Sequence, residues 1–452
     1  MHGRFPARTR YHLASMHDIQ PIPRRILRNE AAPVCKVGAS VTEHRLRNGM
    51  RILLAERHGD PVAANVLFYR VGSRNETERE AGVSHFLEHM MFKGSRRFGK
   101  GEVDRLTTEL GGQNNAFTGY DHTAYWFEFA SDRWEHALDI EADRMQSLTL
   151  DSSEFDAERA VVLEELAMGE DDPWRHLSRP IETLLFSHHP YGRPIIGFSE
   201  TLGGMTPESM RDYHRRFYHP ANATLVVSGD IRPRPALKAI RDRFGSLEAG
   251  VPYEQADCFR RNSPEPRGEV RVTASWDDAA HRLIMAWPTV KCATLEDYVC
   301  DLILAVLTSG RMSRMYRRLV LKEGLATSVS GANDARVEAG AFWLYAEAAQ
   351  GVEPAALERA IDEELVKLAQ DRVAPEELKR AKAIMHAADA FDGEAVSDVA
   401  EELGEWAVDA DWHMAFDGGK QHDRITAEKL RKTAAEYLRH DRRIVGWCHP
   451  KD

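Results

Sequence analysis

The sequence predicts an α+β protein built from two halves of similar design. Its 452 residues are enough for about two to four domains. Strand-like and helix-like segments follow one another in an order that recurs in the second part of the chain. A stretch between Leu247 and Val270, rich in proline and glycine, separates the two copies and has the composition of a linker. We interpret the two halves as the products of a duplication.

The composition is that of a globular protein, with 43% hydrophobic and 29% charged residues. A formal net charge of -11 argues against nucleic acid as a partner, because such a protein gains little from contacts with phosphates. No run of about 18 apolar residues exists, so we expect no membrane span. The five cysteines are widely spaced and odd in number, which favours free thiols in a reducing compartment. We therefore expect a cytoplasmic bacterial protein.

Residues 1–40 are predicted to form a flexible N-terminal arm. The first thirty residues are rich in arginine and poor in acidic residues, and they lack the apolar stretch of a secretory signal. A mitochondrial transit peptide, which would place the protein in the matrix, is the alternative. Pro6, Pro21 and Pro23 would interrupt the amphipathic helix of such a peptide, and this favours the arm.

The first half is predicted to span residues 41–247. It opens with a hairpin, because the turn Asn48-Gly49 separates two strand-like segments, Val41–Leu46 and Arg51–Ala55. Further strands are expected at 62–69, 123–130 and 224–228, where apolar and β-branched residues are concentrated. Helices are expected at 82–92, 103–110, 132–147 and 152–169, the last two opened by capping aspartate or serine.

After a linker at 248–269, the second half is predicted to span residues 270–452. Strands are expected at 282–287, 341–348 and 443–447, and helices at 295–308 and 314–322, with further long helices before the last strand. The segment from Asp398 to Asp411 is predicted to be a helix with an acidic, solvated face.

The pentapeptide His85-Phe86-Leu87-Glu88-His89 carries the strongest chemical signal. On a helix, its two histidines lie about 40° apart on one face, with Glu88 beside them. Two imidazoles one turn apart can occupy adjacent corners of a tetrahedral zinc site. Because the chain has 20 histidines, these five residues alone are not decisive.

A second predicted helix supplies the remaining candidates. Glu158 and Glu165 are seven residues apart and share one helix face. Glu165 would complete a site of two histidines and one carboxylate for one Zn2+ per chain, with a position left for water. Glu158 is expected either to accept the free N–H of a ligand imidazole or to be an ordinary surface carboxylate. Glu164 points about 100° away from Glu165 and is expected to be solvated.

The segment Gly82–Gly94 (GVSHFLEHMMFKG) closely resembles the zinc helix of the pitrilysin-type metallopeptidases, the inverzincins. Seventy-five residues separate His89 from Glu165, which fits the family's third ligand. The resemblance implies two homologous α/β-roll halves, each a mostly antiparallel sheet with helices packed on one face. It also implies that the second half lacks zinc ligands.

The same resemblance implies a zinc-dependent endopeptidase subunit in which Glu88 is the general base. The alternative is that Glu88 closes a structural site as a fourth ligand. Residues 112–118 resemble the family's substrate-binding edge strand, so Asn115, Ala116, Phe117 and Thr118 are expected to bind an unstructured peptide through their backbone. A turn followed by an ordinary strand is the other interpretation of this segment.

One departure from the family pattern affects the prediction about partners. The segment Leu319–Thr327 aligns with a family motif that carries an arginine and a tyrosine, and this chain has Val320 and Thr327 at those positions. Neither side chain can make a charge-assisted hydrogen bond to an oxyanion. We therefore expect a homologous partner subunit in a heterodimer that supplies both groups. A homodimer, a weakly active enzyme, and a non-catalytic structural or peptide-binding subunit are the alternatives.

Overall fold

The computed structural model describes residues 40–251, 268–391 and 393–451. Most of the predicted arm (1–40) and most of the predicted linker (248–269) lie outside these residues. Those two predictions therefore remain untested.

The first half contains a mixed sheet whose strands are, in chain order, β1 (Ser40–Arg45), β2 (Arg51–Glu56), β3 (Val62–Tyr69), β4 (Gln113–Thr118), β5 (Thr123–Ala130) and β6 (Ala223–Gly229). Their spatial order is β1-β2-β6-β3-β5-β4, and every pair is antiparallel except β2 with β6. The predicted hairpin is present, and Gly49 adopts a left-handed φ of 93° in its turn. β4 forms one edge of the sheet.

The helices of the first half are α1 (Val83–Met90), α2 (Glu102–Glu109), α3 (Glu135–Ser147), α4 (Ser152–Glu170), α5 (Pro173–Leu185), α6 (Ser199–Gly204), α7 (Pro207–Phe217) and α8 (Pro233–Phe244). Asp151 caps α4 as expected, accepting the N–H groups of Ser153 and Glu154. The predicted start of α3 at Asp132 is wrong. That carboxylate pairs with Arg133 instead, and the helix begins at Glu135 without a side-chain cap.

The second half contains the strands β7 (Val270–Trp276), β8 (Arg282–Thr289), β9 (Ala326–Ala335), β10 (Gly340–Ala348) and β11 (Ile444–Pro450). Their order, β7-β11-β8-β10-β9, repeats β2-β6-β3-β5-β4 of the first sheet. The strand directions are also repeated, because β7 and β11 form the parallel pair. The repeated topology supports the predicted pair of homologous halves.

The helices of the second half are α9 (Leu295–Leu307), α10 (Pro354–Gln370), α11 (Pro375–Phe391), α12 (Val396–Asp409), α13 (Gly418–Arg424) and α14 (Ala427–Tyr437), with a π-helical segment at Tyr316–Lys322. This segment replaces the ordinary helix predicted at 314–322. Each half has its own apolar core, formed between one face of its sheet and its helices.

The other face of each sheet is covered by a helix from the opposite half. α12 packs on β3 and β6 of the first sheet, and its Val399 and Leu403 share an apolar cluster with Phe68. α5 packs on β7, β8 and β11 of the second sheet through Leu177 and Ile181. The halves therefore exchange one helix each, and each contributes to burying the sheet of the other.

The predicted solvated face at 398–411 is wrong for this reason. α12 buries Leu403, Trp406 and Asp409 against the first sheet. Gly404 lies so close to the sheet that a Cβ atom there would meet a ring atom of Phe68 at 1.9 Å. The prediction relied on the acidic residues of the helix and overlooked the row of apolar residues that causes its burial. Within the described ranges, no helix is both long and apolar enough to cross a membrane.

Candidate metal centre

α1 carries three of the predicted site residues on one side. Its apolar residues Phe86 and Leu87 are buried in the core of the first half, which fixes the orientation of the helix. The opposite side presents His85, Glu88 and His89, each partly buried. These three residues therefore share one face of the helix, as the helical repeat predicted.

α4 packs against α1 and brings Glu165 to the two histidines. Oε2 of Glu165 lies 3.7 Å from Nε2 of His85 and 3.5 Å from Nε2 of His89. The candidate ligand atoms of these three residues lie within 4.8 Å of one another, and this is the one such group among the residues that the structure describes. The side chain of Glu165 is 47% exposed, so the group is accessible from solvent.

Glu158 lies on the inner side of the group. Its Oε1 is 2.9 Å from Nδ1 of His89, which leaves Nε2 of that ring facing Glu165. Its Oε2 is 2.6 Å from Nζ of Lys93. Burial alone would raise the pKa of Glu158, but the contacts with Lys93 and His89 outweigh it and the pKa is lowered. Glu158 is therefore held as an anion against the imidazole.

Lys93 was not identified from the sequence. The one signal was its position four residues after His89, but α1 ends at Met90 and a helical spacing could not be assumed there. His85 differs from His89 because its Nδ1 is buried without a hydrogen bond to the described residues. Burial and the neighbouring His89 lower the pKa of His85 to about 4, so the ring is neutral at pH 7, the form that binds metals.

Glu88 is adjacent to the three-residue group and does not belong to it. Its carboxylate accepts a hydrogen bond from the hydroxyl of Thr118. Burial raises the pKa of Glu88, while the Thr118 hydroxyl acts in the opposite direction. Thr118 was predicted only as a peptide-binding residue, and the structure places its side chain on the candidate base.

The other predicted peptide-binding residues, Asn115, Ala116 and Phe117, lie on β4. Among the strands that the structure describes, this one pairs only with β5, and α1 packs beside it. The N–H of Ala116 donates to the side-chain oxygen of Asn115 at 2.9 Å, so it points away from β5. The edge of the sheet next to the candidate metal centre therefore has a backbone donor held only by a flexible side chain.

The second half has neither the arginine nor the tyrosine of the family motif at the two corresponding positions, which are Val320 and Thr327. Val320 packs against the core of that half, and the Thr327 hydroxyl donates to the Glu347 carboxylate at 2.9 Å. Nearby Arg318 is held in ion pairs with Glu323 and with two glutamates of α10. The nearest arginine in sequence is thus already paired, on a different face from Val320.

Comparison with known proteins identifies the family of this chain. The family described as Insulinase (Peptidase family M16) matches residues 51–198, and the one described as Peptidase M16 inactive domain matches residues 204–385. An uncharacterized zinc protease of Rickettsia felis is 30% identical over 364 residues, covering 80% of this chain and 85% of that protein. The zinc protease PqqE of Helicobacter pylori is 28% identical over 416 residues, covering 90% of this chain and 92% of the other.

A solved structure supports the same family and the same fold. The crystal structure of a protease from Helicobacter pylori superposes with a TM-score of 0.86 at 25% identity, and it covers 91% of this chain and 100% of that one. The family resemblance and the α+β fold inferred from the sequence are confirmed. Two consecutive regions of the chain, 51–198 and 204–385, match descriptions of this family, and a relative 30% identical to the chain covers 80% of it, so the chain belongs to peptidase family M16, the insulinase or pitrilysin type.

Proposed function

We propose that this protein is a zinc-dependent endopeptidase subunit that cleaves unstructured peptides. The observation that carries the proposal is the convergence of His85, His89 and Glu165 from two helices, with Glu88 beside them. Relatives named as zinc proteases cover most of the chain and support the same activity.

The donor set fits zinc. Two imidazole nitrogens and one carboxylate oxygen are typical of catalytic zinc sites, which keep a further position for water. Zinc, when bound in such a site, lowers the pKa of a water molecule so that hydroxide is available near neutral pH. Glu158 and Lys93 support this role, since a carboxylate that accepts the other N–H of a ligand imidazole fixes its tautomer and orientation.

Glu88 is the proposed general base. Its carboxylate takes a proton from the attacking water and returns it to the leaving amine nitrogen. Burial supports this role because it raises the pKa of Glu88 towards neutral pH. A group with such a pKa can both take up and release a proton efficiently. The hydroxyl of Thr118 holds the carboxylate in place from the side of β4.

The proposed substrate is an extended peptide added to the edge of the sheet at β4. Asn115, Ala116, Phe117 and Thr118 would pair with it mainly through backbone groups, which accept most sequences. The outward N–H of Ala116 supports this mode, because the Asn115 side chain that now occupies it can rotate away. A folded protein cannot offer a free strand to this edge, which restricts the substrates to unstructured segments.

We propose further that a homologous partner subunit completes the active site in a heterodimer. Val320 and Thr327 leave the second half without the arginine and tyrosine that the family resemblance leads us to expect. The family region described as inactive matches residues 204–385, which include Val320 and Thr327, and this agrees with that arrangement. A homodimer, or a non-catalytic structural or peptide-binding subunit, remains the alternative. The buried free thiols Cys292, Cys300 and Cys448 support a reducing, cytoplasmic location.

The test combines zinc content with cleavage of an unstructured fluorogenic peptide, for the chain alone and with its homologous partner. We expect one zinc per chain and activity that rises strongly with the partner. Glu88→Gln is expected to lower kcat by about 10²- to 10⁴-fold while zinc content is unchanged. Glu164→Gln, an exposed carboxylate next to Glu165 on α4, is the matched control and should change neither.

Each part of the proposal can fail separately. Full activity of the isolated chain would refute the division of labour between two subunits. Unchanged turnover in Glu88→Gln would refute its role as base. Absence of zinc from metal-replete wild-type protein would leave the structural subunit as the better description.

A further inference from the structure

The orientation of α1 depends on contacts at its start. The helix has only eight residues, and three of them are site residues. Helices of this length are marginal in isolation, so packing and end contacts must hold it. Gly82 occupies the N-cap position with a left-handed φ of 96° and has no side chain with which to cap the helix.

Glu76 supplies this cap from outside the helix. Its Oε2 accepts the N–H of Gly82 at 2.9 Å, and its Oε1 accepts the N–H of Ser84 at 2.8 Å. Both oxygens are thus used on the first turn of α1, next to His85. Glu76 is only 5% exposed, so water cannot replace these bonds if the carboxylate is removed.

The segment around Glu76 is itself held on several sides. Arg193 donates to the backbone oxygen of Glu76 at 2.6 Å. The hydroxyls of Ser84 and Tyr213 are 2.8 Å apart and tie the same turn to α7. A Cβ atom at Gly82 would lie 2.5 Å from the backbone oxygen of Ile196, so the start of α1 is in close contact with that loop. These contacts leave the first turn little room to move.

We propose that Glu76 is a positioning residue for the metal centre: its carboxylate fixes the first turn of α1 and thereby the placement of His85 and Glu88 relative to Glu165. The proposal rests on the function proposed above. Glu165 reaches the site from α4, so a small shift or rotation of α1 changes the distances between its two histidines and that carboxylate. Among the described residues, the hydrogen bonds of Glu76 go to Gly82, Ser84 and Arg193 and not to a candidate ligand or the base, so we infer that it acts through the helix.

Two substitutions separate the parts of this role. Glu76→Ala removes both acceptors. Glu76→Gln keeps the size of the side chain, but its NH2 group faces one of the two N–H donors, so one cap is lost and one is kept. The matched control is Asp172→Ala. Asp172 caps α5 by accepting the N–H groups of Trp174 and Arg175, and α5 carries none of the site residues.

Three measurements are made at a temperature at which circular dichroism shows every variant to be folded. They are zinc affinity by chelator competition, the absorption spectrum of the cobalt(II)-substituted protein, and hydrogen exchange of the α1 amides in metal-free protein. We expect Glu76→Ala to weaken zinc binding by about tenfold or more, the range found for residues that orient metal ligands. Its cobalt spectrum should shift, and its α1 amides should exchange faster relative to those of α9. Glu76→Gln should show smaller changes in the same direction.

Peptide cleavage gives a fourth readout. We expect Glu76→Gln to lower kcat with little change in KM, because β4 is not disturbed. Asp172→Ala should lose stability but keep the zinc affinity, the cobalt spectrum and the α1 exchange rates of the wild type.

Wild-type affinity, spectrum and α1 exchange in both Glu76 variants would overturn the proposal. If Glu76→Ala does not fold, Glu76→Gln decides by the same criteria. If the wild-type protein binds neither zinc nor cobalt, the proposed function fails, and the exchange rates of metal-free protein still decide whether Glu76 holds α1.

Discussion

The two halves have the same sheet topology but differ in what their corresponding helices carry. α1 connects β3 to the segment before β4, and α9 stands in the same place between β8 and β9. α1 presents two histidines and a glutamate beside β4. α9 contains no histidine and buries residues such as Val299, Leu302 and Ile303 in the core of its half. The same fold therefore forms around α1, which carries candidate metal ligands, and around α9, which does not, so the candidate site is confined to one copy of the fold.

A second pair of helices shows the same difference. α4 places Glu165 opposite α1, and α11 is its counterpart in the second half. The histidine of α11, His386, pairs with Asp423 near the surface and meets no second ligand in the described part of the chain. The halves nevertheless depend on each other through the exchange of α5 and α12. The two halves therefore share one fold, while the candidate site residues belong to the first half alone among the described residues.

The largest expected effect is on metal content. We predict that His85→Ala loses the single zinc, because two remaining ligands bind far more weakly than three, and that cleavage falls to background. His386→Ala, the control in the second half, should keep both zinc and activity. Zinc content is measured by mass spectrometry after dialysis. Zinc that stays in the first variant, or is lost from the second, would contradict the assignment of the site to the first half.

The next effect concerns the exchanged helices. Ile181 on α5 is fully buried against the second sheet, where a Cβ atom at Gly446 would meet its side chain at 2.5 Å. We predict that Ile181→Ala lowers the free energy of unfolding by about 2–5 kcal/mol because of the cavity it leaves. Urea unfolding followed by tryptophan fluorescence should remain a single transition for both halves.

Val366→Ala on α10 is the control for this prediction, since that side chain is 50% exposed and its loss should change stability by about 0.5 kcal/mol or less. Two separate transitions in Ile181→Ala, with that of the first half unchanged, would show that the halves fold independently.

A smaller effect is expected at the edge strand of the first half. Ala116→Pro removes the outward N–H without breaking the pairing of β4 with β5, because proline is tolerated at such positions of edge strands. We predict that KM for the fluorogenic peptide rises about tenfold, the effect of about 1.4 kcal/mol of lost binding, while zinc content is unchanged. Asn115→Ala frees the same N–H and should leave KM equal or lower. An unchanged KM in Ala116→Pro would mean that peptides do not bind to β4.

The smallest effect is a pH dependence at the contact between the halves. Nδ1 of His122 is 3.0 Å from the Asp409 carboxylate of α12, and both side chains are buried. Burial lowers the pKa of His122, but Asp409 outweighs it and raises the pKa to about 9. Because the pKa is raised on folding, the stabilisation is complete below about pH 6.5 and is lost as the pH rises through about 9.

We therefore predict that the stability deficit of His122→Asn relative to wild type shrinks by on the order of 1 kcal/mol between pH 8 and pH 9. Groups that titrate in both proteins cancel in this difference. Urea unfolding at several pH values measures it, and a deficit that grows with pH would contradict the assigned charge state of His122.

Much of the first half could be predicted because its signals are local. The hairpin at Asn48-Gly49 and strand β3 follow from turn chemistry and apolar runs, and both were placed within one residue. The shared face of His85, Glu88 and His89 follows from helical periodicity alone. The second half was harder to predict because strands β7 and β9 contain many polar or exposed residues and were not identified, and because the segment at Tyr316–Lys322 adopts a π-helix that no simple pattern indicates.

The sequence by itself determined the elements and the donors that one helix can bring together, since a repeat of 3.6 residues fixes neighbours within a helix. Only the tertiary structure decided which helices meet. It placed Lys93 on Glu158, the Thr118 hydroxyl on Glu88, and Glu76 at the start of α1. It also buried α12 beneath the opposite sheet, where the sequence pattern favoured solvent. Such contacts depend on how separate helices and strands pack together, and the residue pattern within a single segment cannot predict that packing.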